Sequence, residues 1–298
     1  MTTSPLSSTL ARARAEFEEL IKDIRPELHR YVARMVGSVV DGEDVVQEAL
    51  AKAYYSLPLP TPDSNLRGWL FRIAHNKAID HLRRTNYQPL ELLDDYPLAA
   101  EPDQPLEEKE LAAIALAVFL KLAPRQRSFV ILKDVLGYSL AEISELHNAT
   151  VPEIKAALHR GRTRLRELGR NVEAGAPVAL NKHEQDLLAR YIDRFNARDF
   201  EAVRAMLANE VRLDLINRVK LRGAAEINNN YFYNYQQVDD WRLGLGGVEG
   251  RPAILVYDAH AASDQPVYFI LLTWTDSQVS FIRDYRYARY VIEDAAVL

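Results

Sequence analysis

The sequence of 298 residues contains no cysteine and only three methionines and three tryptophans. The absence of cysteine excludes disulfides, thiolate nucleophiles, Cys-ligated zinc and iron–sulfur clusters, and it favours a reducing compartment. No apolar run approaches the roughly 18 residues that a membrane helix needs, since residues 111–122 are interrupted by Lys121. The N-terminus lacks the apolar stretch of a secretory signal. The sequence therefore predicts a soluble, cytoplasmic protein with no membrane contact.

The chain also lacks a basic excess, because its net charge is −5, and this average argues against a nucleic-acid partner. The charges are segregated, however. Residues 67–84 and residues 151–170 each carry a net charge of +4, whereas residues 88–110 between them carry −7. Two basic modules joined by an acidic tether predict contact with an anionic partner.

Composition and hydrophobic periodicity divide the chain into five segments. Helical patterns cover residues 11–87 and 108–170, and an acidic linker with four prolines separates them at residues 88–107. A second linker at residues 171–182 precedes residues 183–298, where two helices are followed by runs rich in β-branched and aromatic residues. We therefore predict two all-α domains followed by an α+β domain, with a curved antiparallel sheet wrapped by helices.

The sharpest local signal is a pair of capping boxes. Ser139 with Glu142, and Thr150 with Glu153, both have the S/T-x-x-E spacing that starts a helix. A short helix, a three-residue turn and a longer basic helix predict a helix-turn-helix, whose second helix can enter the major groove. The alternative is an ordinary amphipathic helix with a solvated basic face. The candidate DNA-reading residues on the second helix are Lys155, Ala156, His159, Arg160 and Arg162.

Two further segments have residue patterns that bear on the binding of a protein partner or of nucleic acid. In the helical pattern at residues 41–55, Asp44, Gln47 and Glu48 lie opposite the apolar face, although an acidic helical face is most often merely solvated. Residues 65–84 interleave basic residues with Trp69 and Phe71. That mixture suits phosphate contacts and stacking on unpaired bases.

Residues 11–170 resemble the sigma-70 family in its compact extracytoplasmic-function (ECF) form. The run from Asp41 to Tyr55 resembles region 2.2, and the run from Trp69 to Arg84 resembles regions 2.3 and 2.4. The run from Leu122 to Ile143, with the basic helix after it, resembles region 4. The resemblance implies a sigma factor that binds core RNA polymerase and promoter DNA.

The resemblance also implies residue roles. Asp44, Gln47 and Glu48 would contact the β′ clamp helices of polymerase, whose β flap is a further contact, and Asn76 would hold a base flipped out of the non-template strand. The residues implied at the minus-10 element are Trp69, Arg72, Asn76, Lys77, Asp80, Arg83 and Arg84. The minus-35 element would be read by the helix-turn-helix residues named above. Pro152 and Glu153 depart from the family pattern at one phosphate contact.

Residues 183–298 resemble SnoaL-like domains of the nuclear-transport-factor-like superfamily, through the run from Ala189 to Val203 followed by Val211 to Asp214. The resemblance implies a cone-shaped domain with an interior pocket that could hold a small ligand. It also implies a built-in regulator that replaces a separate anti-sigma factor. The pocket candidates are Asp214, Tyr257 and Asp284, with His260 and Arg283 considered beside them.

We expect no enzymatic activity, no cofactor and no metal site, because a fold shared with enzymes does not confer activity and the histidines show no ligand spacing. Residues 244–250 fail the dinucleotide-binding glycine spacing and predict a hairpin turn instead. Two rival functions stay open. One is a stand-alone helix-turn-helix regulator that binds duplex DNA without polymerase, and the other is a bifunctional protein whose C-terminal domain binds or converts a metabolite.

Overall fold

The computed structural model describes residues 5–56, 65–85, 105–106, 114–169 and 182–297. The chain forms two compact units, Met1–Glu173 (unit 1) and Ala174–Leu298 (unit 2). Most of both predicted linkers, 88–107 and 171–182, and the proline-rich break at 57–64 lie outside the described residues. The units confirm the predicted class, with helical domains followed by an α+β domain.

All regular secondary structure in the described residues of unit 1 is helical. Three long helices come first, and three short helices and a fourth long one follow, with a π-helical turn at Ile131–Val135. The helices are α1 (Pro5–Val36), α2 (Val39–Tyr55), α3 (Leu66–Arg84), α4 (Leu116–Phe119), α5 (Pro124–Val130), α6 (Leu140–His147) and α7 (Val151–Gly169).

Side chains in the sequence set where these helices begin. Ser38 caps α2 by accepting a hydrogen bond from the Asp41 amide at 3.2 Å, and Asn65 caps α3 through the Gly68 amide at 2.7 Å. Both predicted capping boxes are confirmed, since Glu142 and Glu153 accept from the backbone amides of Ser139 and Thr150 at 2.8 and 2.7 Å.

The turn between α6 and α7 completes the predicted helix-turn-helix. Asn148 ends α6 in the left-handed conformation, with φ of 50°, which a short polar side chain tolerates. Ile143 and Ile154 are fully buried beneath the two helices. The local sequence therefore determines this motif, because its caps, its turn and its buried stripe all agree.

One hydrophobic core serves all of unit 1. Tyr31 of α1 packs edge-on against Phe71 of α3 at 5.5 Å, and Phe71 packs in the same way against Tyr138, which precedes α6, at 5.6 Å. All three rings are buried. The helices on either side of the acidic linker are therefore joined by aromatic packing, rather than forming two separate cores.

Unit 2 is a six-stranded sheet with helices against it. Its helices are α8 (Lys182–Asn196), α9 (Phe200–Ala205), α10 (Ala224–Ile227), α11 (Tyr233–Gln236) and α12 (Tyr290–Glu293), with a π-helical segment at Asn228–Phe232. Its strands are β1 (Leu207–Leu215), β2 (Val219–Arg222), β3 (Trp241–Val248), β4 (Arg251–Asp258), β5 (Tyr268–Thr275) and β6 (Gln278–Asp284).

The sheet is mixed, in the order β2-β1-β6-β5-β4-β3. The prediction of a purely antiparallel sheet is wrong for one pair, because β1 and β6 run parallel, with Leu213 beside Ile282. A parallel pair needs a long crossover, and the chain between β1 and β6 supplies it. Strand composition alone contains no information about this pairing.

The predicted hairpin at residues 244–250 is confirmed. β3 and β4 pair antiparallel up to Val248 and Arg251, and only Glu249 and Gly250 lie between them. Both have positive φ, of 50° and 73°, as a two-residue hairpin turn of the primed type requires.

Two elements of unit 2 escaped prediction. β2 and the helical segment 224–236 lie in a stretch rich in Asn and Tyr with no clear period, so tertiary packing decides them. The predicted strand 279–290 ends at Asp284. Among the described residues, no helix has the length and hydropathy to span a bilayer.

The close crossing of α1 and α2 generates a testable prediction. A Cβ on Gly42 would lie 2.8 Å from the backbone Cα of Ala33. We expect Gly42→Ala to lower the free energy of unfolding by about 1–3 kcal/mol, although alanine favours an isolated helix. Urea denaturation followed by helical circular dichroism measures this change.

The exposed Ala51 of the same helix supplies the control. Ala51→Gly should cost about 1 kcal/mol through helix propensity alone. If Gly42→Ala instead stabilised the chain by a similar amount, the close packing of the two helices would be contradicted.

Candidate nucleic-acid interface and interior cavity

Of the three residues predicted on the acidic face of α2, one is exposed. Asp44 is exposed, whereas Gln47 and Glu48 are half-buried. The neighbouring Glu43 is fully buried and lies 2.5 Å from Arg25 of α1. Two carboxylates of this helix thus differ in role: Glu43 anchors α2 to α1, and Asp44 faces outward.

Glu48 links this acidic face to the basic helix α3. Its carboxylate lies 3.2 Å from Lys77 Nζ and 3.4 Å from a guanidinium nitrogen of Arg84. Partial burial acts to raise the pKa of Glu48, but the hydrogen bond from Lys77 and the charge of Arg84 outweigh it, so the pKa falls below its usual value. The carboxylate is therefore held in its charged form.

The outer face of α3 brings most of the predicted minus-10 residues together. Arg72, Asn76 and Asp80 repeat every four residues and are exposed, as are Arg83 and Arg84. Asp80 lies 3.9 Å from Arg83, so the carboxylate orients one cation of the face. The face therefore presents cations around one exposed amide, a chemistry suited to phosphates and a single base edge.

Trp69 differs from its neighbours on α3. Its ring is only partly exposed and packs edge-on against Phe17 of α1 at 6.3 Å. One face of the indole thus belongs to the core of unit 1, which limits how much of the ring can stack on a base.

On α7, four of the five predicted minus-35 residues are exposed or partly exposed. Lys155 is exposed, and Ala156, His159 and Arg160 are partly exposed. The outward placement predicted for Arg162 is wrong, because its side chain is 3% exposed and bonds Asp134 at 2.8 and 2.6 Å.

The structure explains why Arg162 is buried. A helical wheel puts this residue at the border of the apolar stripe, and the Asp134 carboxylate, itself 2% exposed, lies opposite it. A planar guanidinium and a carboxylate form two parallel hydrogen bonds. Arg162 therefore fixes the recognition helix on the π-helical turn that contains Asp134. The signal in the sequence was an acidic residue, next to Lys133, within a mostly apolar run.

Sequence reasoning also missed Arg127, because the polar residues of α5 are typical of a solvated helix and give no sign of a buried guanidinium. Its side chain is fully buried and donates to the carbonyl oxygens of Met35, Leu120 and Leu122 at 2.5, 3.0 and 2.9 Å. Met35 belongs to α1, so this guanidinium joins the two helical halves of unit 1.

Unit 2 contains a cavity of about 490 Å³ between β1, β2 and the helical segment 224–236. Its wall is apolar where Leu213, Leu215 and Leu221 face it, and polar where Tyr231, Tyr235 and Arg286 do. Arg218 lies at its exposed rim, 5.6 Å from the Tyr287 ring. An apolar wall with a few convergent polar groups is the usual form of a small-molecule site.

Of the three predicted pocket residues, Asp284 lies directly behind this cavity. Its Oδ2 accepts hydrogen bonds from the hydroxyls of Tyr231 and Tyr235 at 2.7 and 2.8 Å, and its Oδ1 accepts from the Arg286 amide at 2.7 Å. Complete burial raises the pKa of Asp284 above its usual value, although these hydrogen bonds oppose the shift.

The other predicted pocket residues do not line this cavity. Asp214 alternates with Leu213 and Leu215, so it faces the opposite side of the sheet, where it lies 3.4 Å from Lys220. Tyr257 packs under Arg242 at 4.4 Å. Of the two further candidates, His260 is exposed beside Asp239, and Arg283 lies over the Tyr285 ring.

Comparison with known proteins matches two parts of unit 1. The family model of sigma-70 region 2 matches residues 20–87, and that of sigma-70 region 4 matches residues 113–165. SigG, an ECF RNA polymerase sigma factor of Mycobacterium tuberculosis, is 29% identical over 214 residues, covering 63% of this chain and 58% of SigG. The match therefore spans less than two thirds of that relative.

Solved structures give weaker likenesses. The ECF sigma factor SigJ of Mycobacterium tuberculosis is 18% identical, with a TM-score of 0.33, over 89% of this chain and 95% of SigJ. An NTF2-like protein of Cytophaga hutchinsonii is 15% identical, with a TM-score of 0.26, over 33% of this chain and 94% of that protein.

The pair of Arg162 and Asp134 generates a prediction. Asp134→Asn should lower the free energy of unfolding of unit 1 by about 3–5 kcal/mol, because it leaves a guanidinium buried without its countercharge. Glu167→Gln on the same helix removes the negative charge from the exposed contact with Arg164 at 3.0 Å. That control should change stability by less than about 1 kcal/mol. Equal losses in urea denaturation would contradict the structural role of Arg162.

The tyrosines around Asp284 predict a loss of stability in alkali. Burial raises the pKa of Tyr191, Tyr231, Tyr235 and Tyr268 above the usual value of 10. Unfolded tyrosines ionise near pH 10, so the stabilising contribution is complete below that pH and is lost above it. Each tyrosine should remove about 1.4 kcal/mol per pH unit.

The measurement is urea denaturation of the full chain at pH 9, 10 and 11. Tyr235→Phe should reduce the loss of unfolding free energy above pH 10 by the share of one tyrosine, about 1.4 kcal/mol per pH unit. Tyr233→Phe, at an exposed position nearby, should leave this loss unchanged. An equal effect of both substitutions would contradict the assignment to the buried cluster.

Proposed function

From its membership of the sigma-70 family, through regions 2 and 4 at residues 20–87 and 113–165, we propose that this chain is an ECF-type sigma factor. It binds core RNA polymerase, recognises the minus-35 and minus-10 promoter elements and starts transcription. The observation that carries the proposal is the exposed face of α3, where Asn76 lies among Arg72, Arg83 and Arg84.

Region 2 contacts both polymerase and DNA in this proposal. Asp44 and Gln47 face the β′ clamp helices, because an outward acidic surface complements a basic partner. Glu48 acts at the boundary, since it holds Lys77 and Arg84 in place beside the DNA-facing surface of α3. Core binding and promoter melting are therefore electrostatically coupled through one carboxylate.

Promoter melting depends on the amide of Asn76. A base flipped from the stack costs a few kcal/mol to extrude, and an amide both donates to and accepts from its edge. The surrounding cations, Arg72, Arg83 and Arg84, neutralise phosphates along the displaced strand. Trp69 contributes through the exposed part of its ring.

Region 4 reads the minus-35 element with α7 in the major groove, and the β flap of polymerase supports it. Lys155, Ala156, His159 and Arg160 form the reading surface. Arg162 lies outside this set, because its bond to Asp134 orients the helix instead. Phosphate contacts position the helix, and base contacts specify the sequence.

Unit 2 regulates the sigma regions in place of a separate anti-sigma factor, and its cavity holds a small ligand that sets this activity. The cavity offers an apolar wall, the phenols of Tyr231 and Tyr235, and the Arg218 guanidinium at its rim. We propose no enzymatic step for it, since Asp284 accepts three hydrogen bonds and its carboxylate is fully buried. A protein that binds polymerase and promoter DNA acts in the cytoplasm, and the proposal therefore includes this location.

Two rival functions have distinct signatures. A stand-alone helix-turn-helix regulator binds duplex DNA without polymerase, and it has no use for the exposed Asp44 or for Asn76 beside cations. A bifunctional protein converts a metabolite in unit 2, and it requires turnover that depends on Asp284. The acidic and amide features of region 2 favour the sigma factor.

Run-off transcription with core polymerase on a panel of promoters tests the proposal. We expect both the full chain and residues 1–180 to start transcription, with different rates because unit 2 is regulatory. Initiation by neither protein, together with no binding to core polymerase, would favour the stand-alone regulator. Equal rates at every polymerase concentration would exclude regulation by unit 2.

Asn76→Ala separates melting from docking in the same assay. It should lower open-complex formation by about tenfold or more, since an interaction worth about 1.4 kcal/mol is lost, while core binding stays unchanged. Lys52→Ala, at an exposed position on α2, is the matched control. Loss of core binding by Asn76→Ala would contradict the role given to this amide.

A further inference from the structure

A chain of four polar side chains crosses between regions 2 and 4 inside unit 1. His75 Nδ1 lies 2.8 Å from the Tyr31 hydroxyl, Tyr31 lies 2.7 Å from the Ser128 hydroxyl, and Ser128 lies 2.9 Å from His147 Nε2. Tyr31 and His75 belong to region 2, and Ser128 and His147 belong to region 4. The two imidazole rings also meet edge-on at 4.9 Å.

The hydrogens in this chain can be counted. If both ring nitrogens accepted, each hydroxyl would donate its proton to a histidine. No hydrogen would then lie between the two hydroxyl oxygens, which are 2.7 Å apart. One imidazole must therefore donate and the other accept, so that all bonds run in one direction. The network is complete only when the accepting imidazole is neutral, whereas the other imidazole donates from the ring nitrogen that faces its hydroxyl.

A proton added to the accepting imidazole breaks this arrangement. It converts the accepting imidazole into a donor, so a hydroxyl proton loses its acceptor inside the core, where Tyr31 and Ser128 are fully buried. Within the described part of the chain, the groups that face the pair add no negative charge: they are the Tyr31 phenol from α1, the guanidinium groups of Arg125 and Arg127 from α5, and each imidazole itself.

The same surroundings oppose protonation electrostatically. Burial, followed by the charge of Arg127, lowers the pKa of His75 to about 4. Burial, followed by His75 and Arg125, lowers the pKa of His147 to about 3. Both lie below the value of about 6.5 that a solvated histidine has.

The packed arrangement is too small to read a promoter. A compact body of the length of unit 1 has a radius of gyration of about 16 Å, hence a width of about 40 Å. The minus-35 and minus-10 elements are separated by about 25 base pairs, or about 85 Å at about 3.4 Å each. Regions 2 and 4 must therefore separate before both elements can be bound, a step that rests on the proposed function.

We propose that unit 1 is a closed state of the sigma factor, latched by His75, Tyr31, Ser128 and His147, and that protonation of the two histidines opens it. Three further contacts cross the same interface. Arg127 donates to Met35 O at 2.5 Å, Arg67 to the Tyr138 hydroxyl at 2.9 Å, and Asn65 to Glu145 at 3.1 Å. None of these groups titrates between pH 5 and 8 by its ordinary value, so the histidines give the interface its response to mild acid.

The sign and size of the response follow from linkage. The open state binds protons below about pH 6.5, and the closed state binds them only near pH 4 and below. Stability of the closed state is therefore complete above pH 6.5 and is lost as the pH falls. From pH 7.5 to 5.5 each histidine multiplies the ratio of open to closed chains by about 10, and the two together by about 100.

The experiment measures the distance between regions 2 and 4 in the full chain. Because the sequence has no cysteine, Ala51→Cys on α2 and Ala141→Cys on α6, both exposed, give two unique sites for spin labels. Double electron–electron resonance should report one short distance at pH 7.5 and a growing population of longer distances at pH 5.5.

Neutral replacements identify the groups responsible. Asn and Gln amides approximate the positions of Nδ1 and Nε2 and both donate and accept, so His75→Asn with His147→Gln should abolish the pH response. His81→Gln, on the same helix as His75, should keep it. A doubly substituted chain that responds like its parent would overturn the proposal.

A second measurement needs no substitution in the latch. Titration of the imidazole resonances of the unlabelled chain should show those of His75 and His147 still neutral at pH 5.5 in the closed population. If the resonances of His75 and His147 both titrated near 6.5 while the label distance stayed constant, the latch would be excluded. Neither readout uses transcription, so failure of the latch and failure of the sigma-factor assignment are distinguishable.

Discussion

The buried guanidinium of Arg127 is the contact on which unit 1 depends. It reaches from α5 to the carbonyl of Met35 at the end of α1, and it also binds two carbonyls at the end of α4. A charge in this position is tolerated only because several oxygens surround it. Around it, Tyr31, Phe71 and Tyr138 build one aromatic core from helices on both sides of the acidic linker. The packing of regions 2 and 4 is therefore specified by directional bonds as well as by apolar burial.

Pairs of opposite charges organise the candidate interfaces. Glu48 neutralises Lys77 and Arg84 on one side while it belongs to the acidic face of α2 on the other. Arg162 is withdrawn from the outer face of α7 by Asp134, which leaves a smaller reading surface than the helical pattern indicates. In both cases a pair of opposite charges decides which side chains stay available to a partner. The surfaces of the basic modules are thus less positive than their amino-acid composition indicates.

Unit 2 follows a different principle, because the hydrogen bonds to its central carboxylate within residues 182–297 come from phenols and a backbone amide. Asp284 is held by two phenols and a backbone amide, and burial raises the pKa of its carboxyl. The tyrosines that bind it also form part of the cavity wall. A ligand that displaced either phenol would leave the carboxylate short of a donor, which couples the occupancy of the cavity to the stability of the sheet.

Local sequence determined the helix-turn-helix, the caps of α6 and α7, the hairpin at Glu249 and Gly250, and the order of helical and β-rich domains, because each depends on residues a few positions apart. The candidate set on α3 came from the resemblance to regions 2.3 and 2.4 and not from periodicity. Only the tertiary structure decided the parallel pairing of β1 with β6, the burial of Arg162, and the Asp284 cluster. It also decided the contact of Tyr31 with Ser128, 97 residues apart. Such contacts depend on which distant groups packing brings within hydrogen-bond reach, and no periodicity in one segment encodes the identity of its partner.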